Sequence, residues 1–330
     1  MSPAMSSSPV PPSAASGAPP AIFDRRLHAR RRARAARDLS GFDFLKTLAC
    51  EDIALRLLPI NRTFARALDL GSHGGVFERV LREQGASDRV GEVFALDLAP
   101  ELAPPPLGVA GDEERLPFAD ASFDLVVSPL SLHWTNDLPG ALIQIRRILK
   151  PDGLFVATLP GVGTLTELRQ SLLAAEAETS GGAANRISPF IDTIDGARLL
   201  QRAGFAMPVS DVDAQTVRYA DPLRLLADLK GMGETAAFTP DGRPSLSRTA
   251  LFRAMEIYRE RFSDPDGRVR ATFNFVTLSG WAPAPDQPKP LKPGSARMRL
   301  ADALGVPERS TGDAADPTGG RDRRERGETS

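Results

Sequence analysis

At 330 residues the chain is long enough for one large domain with insertions or for two modest ones, and its 25% charged and 42% hydrophobic residues are ordinary for a soluble globular protein. A formal net charge of -1 gives no global reason to expect nucleic acid as a partner, so any basic surface must be local. The single Cys50 excludes an intrachain disulfide and CxxC metal spacing, which fits a reducing compartment, and no apolar run approaches the ~18 residues needed to span a bilayer.

Residues 1–20, rich in Ser, Pro and Ala, have too little apolar surface to order themselves and are expected to form a disordered tail. They lack a charged start and an apolar stretch, so they do not read as a secretory signal. Residues 21–60 are expected to form N-terminal helices. The first, FDRRLHARRRARAAR (23–37), carries seven arginines and one acidic residue. The ordinary reading of such a run is a solvated basic helix. The alternatives are a surface that docks an acidic partner or touches anionic lipid, and a displaced transit-like segment. Phe44, Leu45, Leu48, Ala49, Ile53 and Leu57 then recur at helical spacing and mark an amphipathic helix that packs on a core.

Residues 61–282 are expected to form the main domain. Short apolar strands at 66–70, 93–98, 107–111, 123–130 and 154–159 alternate with helical patterns. The helix after the first strand carries Val76, Phe77, Val80 and Leu81. The helix after the fourth is apolar at 138, 141, 142, 145, 148 and 149, with Asn136 or Asp137 to cap it and KPDG (150–153) to stop it. Such alternation implies βαβ units: an α/β, doubly wound, mostly parallel sheet. Helical cap insertions are expected near 164–190 and 221–268, a further helix ends at RAGF (202–205), and strands are expected at 209–219 and 269–281. Residues 283–330, proline-rich and then charged, are expected to be an extended, largely disordered tail.

In a doubly wound sheet, ligands bind beyond the carboxyl ends of the strands. Polar candidates fall at such ends in order: Asp69 and Gly71, then Asp97, then Asp112 with Glu113, then Ser128, with His133 and Trp134 just beyond. Gly71 and Gly75 let the backbone turn tightly beside a ligand, and the helix beginning near Gly75 aims unsatisfied N–H groups at a carboxylate. Asp97, 26 residues beyond Gly71, can accept from two ribose hydroxyls, and Asp112 can accept from an adenine amine. Together they describe an adenosyl ligand with a carboxylated tail. The glycines do not fit the G-x-G-x-x-G of a nicotinamide dinucleotide site. Asp69 and Asp112 also have plain readings as turn caps. His133 and Trp134 are candidates for a wall of the substrate pocket, with His133 as a general base, and a packed strand-end pair is the ordinary alternative. Glu167 and Arg169 are candidates to order a substrate or else a surface pair. His73 and His133 with a nearby carboxylate have the composition of a non-haem iron donor set, but no metal site is assigned.

With these residues placed, the chain resembles the class I S-adenosylmethionine-dependent (Rossmann-like) methyltransferases. GDEERLPFADASFDLVVSPLSLHWTNDLPGALIQIRRILKPDGLF (111–155) is similar to one branch of them, the mitochondrial complex I assembly factor 5 family and its bacterial relatives. Supporting strings are IFDRRL (22–27), FDFLK (42–46), GTLTELRQSL (163–172), RISPF (186–190), LLADLKGMGE (225–234) and ATFNFVTLSGW (271–281). The resemblance implies S-adenosyl-L-methionine as cofactor, bound by Asp69, Gly71, His73, Gly75, Asp97, Asp112, Glu113 and Ser128. It also implies a place in the bacterial cytoplasm or the mitochondrial matrix, and the modification of an arginine on a quinone-module subunit of complex I. Where the family's turn usually reads Cys-Gly, this chain has Ser72 and His73, a modified turn that still binds but weakens the expectation of ordinary methyl transfer. A sister family, the malonyl-carrier-protein O-methyltransferases of biotin synthesis, shares the TLxEL and LKGxG strings. A non-catalytic assembly chaperone is the third reading.

Overall fold

The computed structural model describes residues 21–180, 182, 184, 186–240, 245–287, 298 and 300–307. The expected disordered tail at 1–20 and most of that at 283–330 lie outside the described residues. Seven strands form one sheet: β1 (Phe64–Leu70), β2 (Val90–Asp97), β3 (Gly108–Ala110), β4 (Phe123–Pro129), β5 (Leu149–Pro160), β6 (Ala206–Tyr219) and β7 (Val269–Trp281). Their order is β3-β2-β1-β4-β5-β7-β6. The first five are mutually parallel, and β7 pairs antiparallel with both β5 and β6. Since β2 lies on one side of β1 and β4 on the other, the chain reverses its winding between β1 and β4, which is where such sheets open a ligand crevice.

Burial on both faces explains why the central strands read as apolar runs rather than alternations; β4 is buried at every position. On one face lie α2 (Phe44–Leu57) and α3 (Val76–Glu83), which bring Ile53, Leu57, Phe77 and Val80 onto Phe64 and Leu125. On the other lie α4 (Leu138–Ile148) and α6 (Thr193–Ala203), which bring Leu142, Ile145, Ile148 and Leu200 onto Phe123 and Phe155. Asp137 caps α4, accepting from Gly140 N at 2.8 Å. Leu149 is not the last residue of this helix, as its apolar spacing predicts, but the first of β5, so KPDG is strand rather than a stop. A register shift opposite Phe123/Leu125 and a left-handed Asp152 (φ 61°) accommodate it.

The insertions build a second apolar cluster over the sheet end. It joins α5 (Thr166–Ser180), α7 (Pro222–Gly231) and α8 (Arg248–Phe262) to the start of β7 through Leu168, Leu172, Leu225, Tyr258 and Phe273. Within the insertion expected near 221–268 the helical parts are α7 and α8, and residues 232–247 between them are not helical where described. The basic run forms α1 (Arg25–Ala35), capped by Asp24, and it is not solvated all round: His28, Arg32 and Ala35 are buried. The chain divides into a unit ending at Pro285 and a second from Asp286. Within the second, the expected extended tail contains a short helix, α9 (Leu300–Leu304).

Candidate functional site

The glycine-rich turn is tied to the end of β2: Gly71 N and Ser72 N both donate to Leu96 O, at 2.7 and 3.0 Å. Gly71 has φ +75°, and a Cβ there would stand 2.1 Å from Ser131 Oγ, so the turn passes too close to the β4 end for any other residue. His73, Gly74 and Gly75 follow with φ of 54°, 80° and 81°, and Gly75 is the N-cap of α3. A left-handed histidine is uncommon and costs about 1–2 kcal/mol of backbone energy. It turns the imidazole into the interior, where burial lowers its pKa to about 3 and keeps it neutral.

Four carboxylates stand around this turn. Asp69 is fully buried, and neither of its oxygens has a hydrogen-bond partner. Burial raises its pKa to about 7 against the pull of the Lys46 ammonium. Asp97 is also fully buried but fully bonded: it accepts from His73 N at 3.1 Å and Ala99 N at 3.0 Å. Its remaining capacity is taken by the Arg32 guanidinium, Nε to Oδ1 at 3.0 Å and Nη2 to Oδ2 at 2.5 Å. Burial works to raise Asp97, but Arg32 and the two backbone N–H groups hold it at about 2. Asp112 lies at the mouth, where Arg25 Nη2 reaches its Oδ1 at 2.8 Å and pairs also with Glu113. Glu113 in turn accepts from Ser131 Oγ at 2.6 Å.

The basic helix thus lies across the cleft. Arg25, His28, Arg32 and Ala35 share one face of α1 (i, i+3, i+7, i+10), and that face carries guanidinium groups onto the carboxylates expected to read adenosine. A non-helical segment after α7 roofs the same cleft. Asp24 N donates to Ala237 O at 2.8 Å, and Arg31 donates to Thr235 O at 2.7 Å and to Ala236 O.

Behind the turn a cavity of about 340 Å³ lies between the sheet end and the cap. Phe42, Leu45, Leu130, Leu168 and Leu229 give it apolar walls, while Lys46, His73, His133, Trp134 and Glu234 gather polar groups on its boundary. Glu234 Oε2 accepts from Trp134 Nε1 at 2.6 Å and pairs with His133 Nε2 at 3.1 Å. With Nε2 donating there, His133 Nδ1 is left as an acceptor, and it has no partner. Trp134 also stacks on His28, centroids 4.4 Å apart. Lys46 is buried and donates to Gly71 O and Pro129 O, bracing the turn against the end of β4; burial lowers its pKa.

Sequence reasoning placed Asp69, Gly71, His73, Gly75, Asp97, Asp112, Glu113, His133 and Trp134, and the fold brings them to one end of the sheet. It does not bring three others into the cavity. Ser128 is buried within the sheet, donating to Leu70 O at 3.1 Å. Glu167 turns to β7, accepting from Thr272 Oγ1 at 2.5 Å and Thr272 N at 3.1 Å. Arg169 donates to Ser188 O at 3.3 Å. These two hold α5 and its loop, and the neighbouring Leu165, Leu168 and Leu172 face the cavity instead. Lys46, Glu234, Arg25 and Arg32 received no role from sequence. Lys46 precedes Cys50 by four and Ile53 by seven, on the buried stripe of α2, and that placement was its signal. Among the described residues, no group of three His, Cys, Asp or Glu side chains is arranged to hold a metal ion.

Residues 68–157 match the model of the methyltransferase domain family. The arginine-hydroxylase NDUFAF5, mitochondrial, of Rattus norvegicus is 41% identical over 89% of this chain and 87% of its own. The malonyl-[acyl-carrier protein] O-methyltransferase of Halorhodospira halophila is 36% identical over 78% of this chain and 88% of its own. Among solved structures, the YcgJ protein of Bacillus subtilis aligns with 72% of this chain and 98% of its own, with 15% identity and a TM-score of 0.48.

Proposed function

Because the chain belongs to the class I methyltransferase superfamily, in the branch that holds the NDUFAF5 arginine hydroxylases, we propose that it binds S-adenosyl-L-methionine and modifies an arginine of a protein substrate during assembly of respiratory complex I. The observation that carries this reading is the extent of the similarity. It spans 89% of the chain, so it includes the cap segments that line the cavity as well as the nucleotide-binding half of the sheet.

The cleft fits such a cofactor. Asp69 is a buried carboxylate with both oxygens orphaned, which suits the ammonium of a methionine tail. Asp97 holds a two-donor fork, and a ribose diol presents two donors in the same way. Asp112 accepts at the adenine end. Asp97 is paired with Arg32 of α1, and Asp112 and Glu113 with Arg25, so cofactor entry requires these arginines to give way. When bound, S-adenosylmethionine supplies an electrophilic sulfonium at the turn. The chain's own residues do the rest: Lys46 fixes the turn carbonyl, and His133, oriented by Glu234, presents Nδ1 to accept a proton.

The second reading, carboxyl methylation of a carrier-bound malonyl group, draws on the O-methyltransferase relatives. Peptide mass spectrometry of the quinone-module subunit from deletion and wild-type cells separates the two. An arginine that gains oxygen or methylene only in the wild type supports the proposal. An unmodified subunit together with a biotin requirement in the deletion strain supports the alternative.

A further inference from the structure

Glu234 is held so that half of its carboxylate is uncommitted. Its Oε2 serves Trp134 and His133, while Oε1 accepts no hydrogen bond among the described residues and faces Arg32 Nη1 at 3.7 Å. Glu234 is also the only acidic side chain among the described residues that line the cavity, whose walls are otherwise largely apolar. Burial favours its neutral form, but the hydrogen bond from His133 and the positive charge of Arg32 hold it ionised. A carboxylate kept ionised in such surroundings requires a cation nearby.

Arg32 supplies that cation only while it also occupies Asp97, since Nε and Nη2 are engaged there as Nη1 faces Glu234. A ligand that takes both oxygens of Asp97 displaces Arg32, and Glu234 Oε1 then loses the ion-pair partner it has among the described residues.

We propose that Glu234 is the receptor for the substrate's guanidinium, a specificity-determining residue that selects an arginine side chain and holds it where the cavity meets the cofactor cleft. The three methylenes of arginine match the apolar walls of Phe42, Leu45 and Leu229, and its guanidinium can donate a charge-assisted hydrogen bond to the oxygen that Trp134 and His133 leave free. Arg32 is the internal precedent, a guanidinium from the chain's own α1 resting between Asp97 and Glu234. This assignment rests on reading the chain as an arginine-modifying enzyme.

The test uses the full chain carrying Arg32→Gln, titrated calorimetrically with N-acetyl-L-arginine amide and its neutral isostere N-acetyl-L-citrulline amide, in the presence of S-adenosylmethionine. The arginine compound is expected to bind about tenfold or more tighter, as a charge-assisted bond to a carboxylate implies. Adding Glu234→Gln, which still accepts from Trp134, should bring the ratio close to one while affinity for S-adenosylmethionine is unchanged. Glu234→Asp, with the charge kept but drawn back, should bind arginine amide more weakly yet still prefer it to citrulline amide. Equal binding of the two compounds in the Arg32→Gln chain, or a preference that survives Glu234→Gln, overturns the assignment. If arginine is modified in cells and no such preference is measured, only the role of Glu234 fails. If the subunit arginine is unmodified in wild-type cells, the functional reading itself fails.

Discussion

Arg32 and Asp97 form a two-point ion pair in which both side chains are sealed from solvent, 3% and 0% exposed, joining the N-terminal helix to the end of the second strand. An ionised pair this deeply buried is strongly destabilising to break from one side, by about 3–5 kcal/mol, because the remaining charge is left unpaired. The same pair stands where an adenosyl ribose is expected. Arg32→Gln should therefore lower the thermal stability of the ligand-free protein and raise its affinity for S-adenosylmethionine about tenfold or more, since the binding-competent state no longer has to displace a competitor. Calorimetric titration and a melting curve on the same sample check both halves. Equal affinities in the two proteins would show that α1 does not compete.

The pH dependence of stability follows from His28, buried against Trp134 with neither ring nitrogen bonded. Burial, helped by Arg32, Arg25 and His133 and opposed by Glu234, lowers its pKa to about 3, against about 6.5 in an unfolded chain. A depressed histidine contributes stability that is complete above the unfolded value and is lost as pH falls towards the folded one, by about 1.4 kcal/mol per pH unit. His28→Phe retains the stack and cannot take up the proton. Between pH 7 and 5 the variant should lose about 2 kcal/mol less stability than the wild type in urea unfolding. Identical losses would place His28 in contact with water.

Asp69 works with the opposite sign. Its folded pKa of about 7 lies above the ordinary carboxylate range because of burial, so its contribution is favourable at low pH and is lost as pH rises through 7. Asp69→Asn should flatten that decline, leaving the ligand-free protein more stable than the wild type at pH 8. The same substitution should weaken cofactor binding, because the methionine ammonium loses its carboxylate. A variant destabilised at pH 8 would mean that Lys46 already compensates Asp69 in full.

The alternation of strands and helices, and the carboxylates at successive strand ends, were legible because apolar runs and the residues that punctuate them are local in sequence; the strand order β3-β2-β1-β4-β5-β7-β6 is a matter of long-range pairing and was not. The roles of Arg25, Arg32, Lys46 and Glu234 were not, because each depends on a partner far along the chain: Arg32 meets Asp97 across 65 positions, and Trp134 meets Glu234 across 100. A run of seven arginines reads as solvated by composition, and only the i, i+3, i+7 placement of Arg25, His28 and Arg32 marked a face able to be buried. Glu167 and Arg169 misled for the converse reason. Polar residues on a cap helix beside a cavity suggest substrate, but α5 turns its leucines inward and ties Glu167 to β7.

The glycine turn gives a sharper steric prediction. A methyl group on Gly71 would overlap Ser131 Oγ at 2.1 Å in a backbone already at φ +75°. Gly71→Ala should destabilise the protein by about 2–5 kcal/mol from overpacking and the left-handed penalty together, and should abolish cofactor binding by shifting the turn. Gly85, also left-handed at φ +65° but open on all sides, provides the control: Gly85→Ala carries the backbone penalty alone and should leave binding intact.

Blocking the cavity separates substrate from cofactor. Leu229, on α7, lines the cavity and is only partly buried, so a larger side chain can be accommodated there without dismantling the cap core. Leu229→Trp fills space where the stem of a substrate arginine is proposed to lie and touches none of Asp69, Gly71 or Asp97. The variant, expressed in the deletion strain, should lose most modification of the subunit arginine, while the purified protein binds S-adenosylmethionine as tightly as the wild type. A cost of about 1–3 kcal/mol in stability is expected from overpacking and can be read from urea unfolding. Normal modification by a stably folded Leu229→Trp protein would put the substrate outside this cavity.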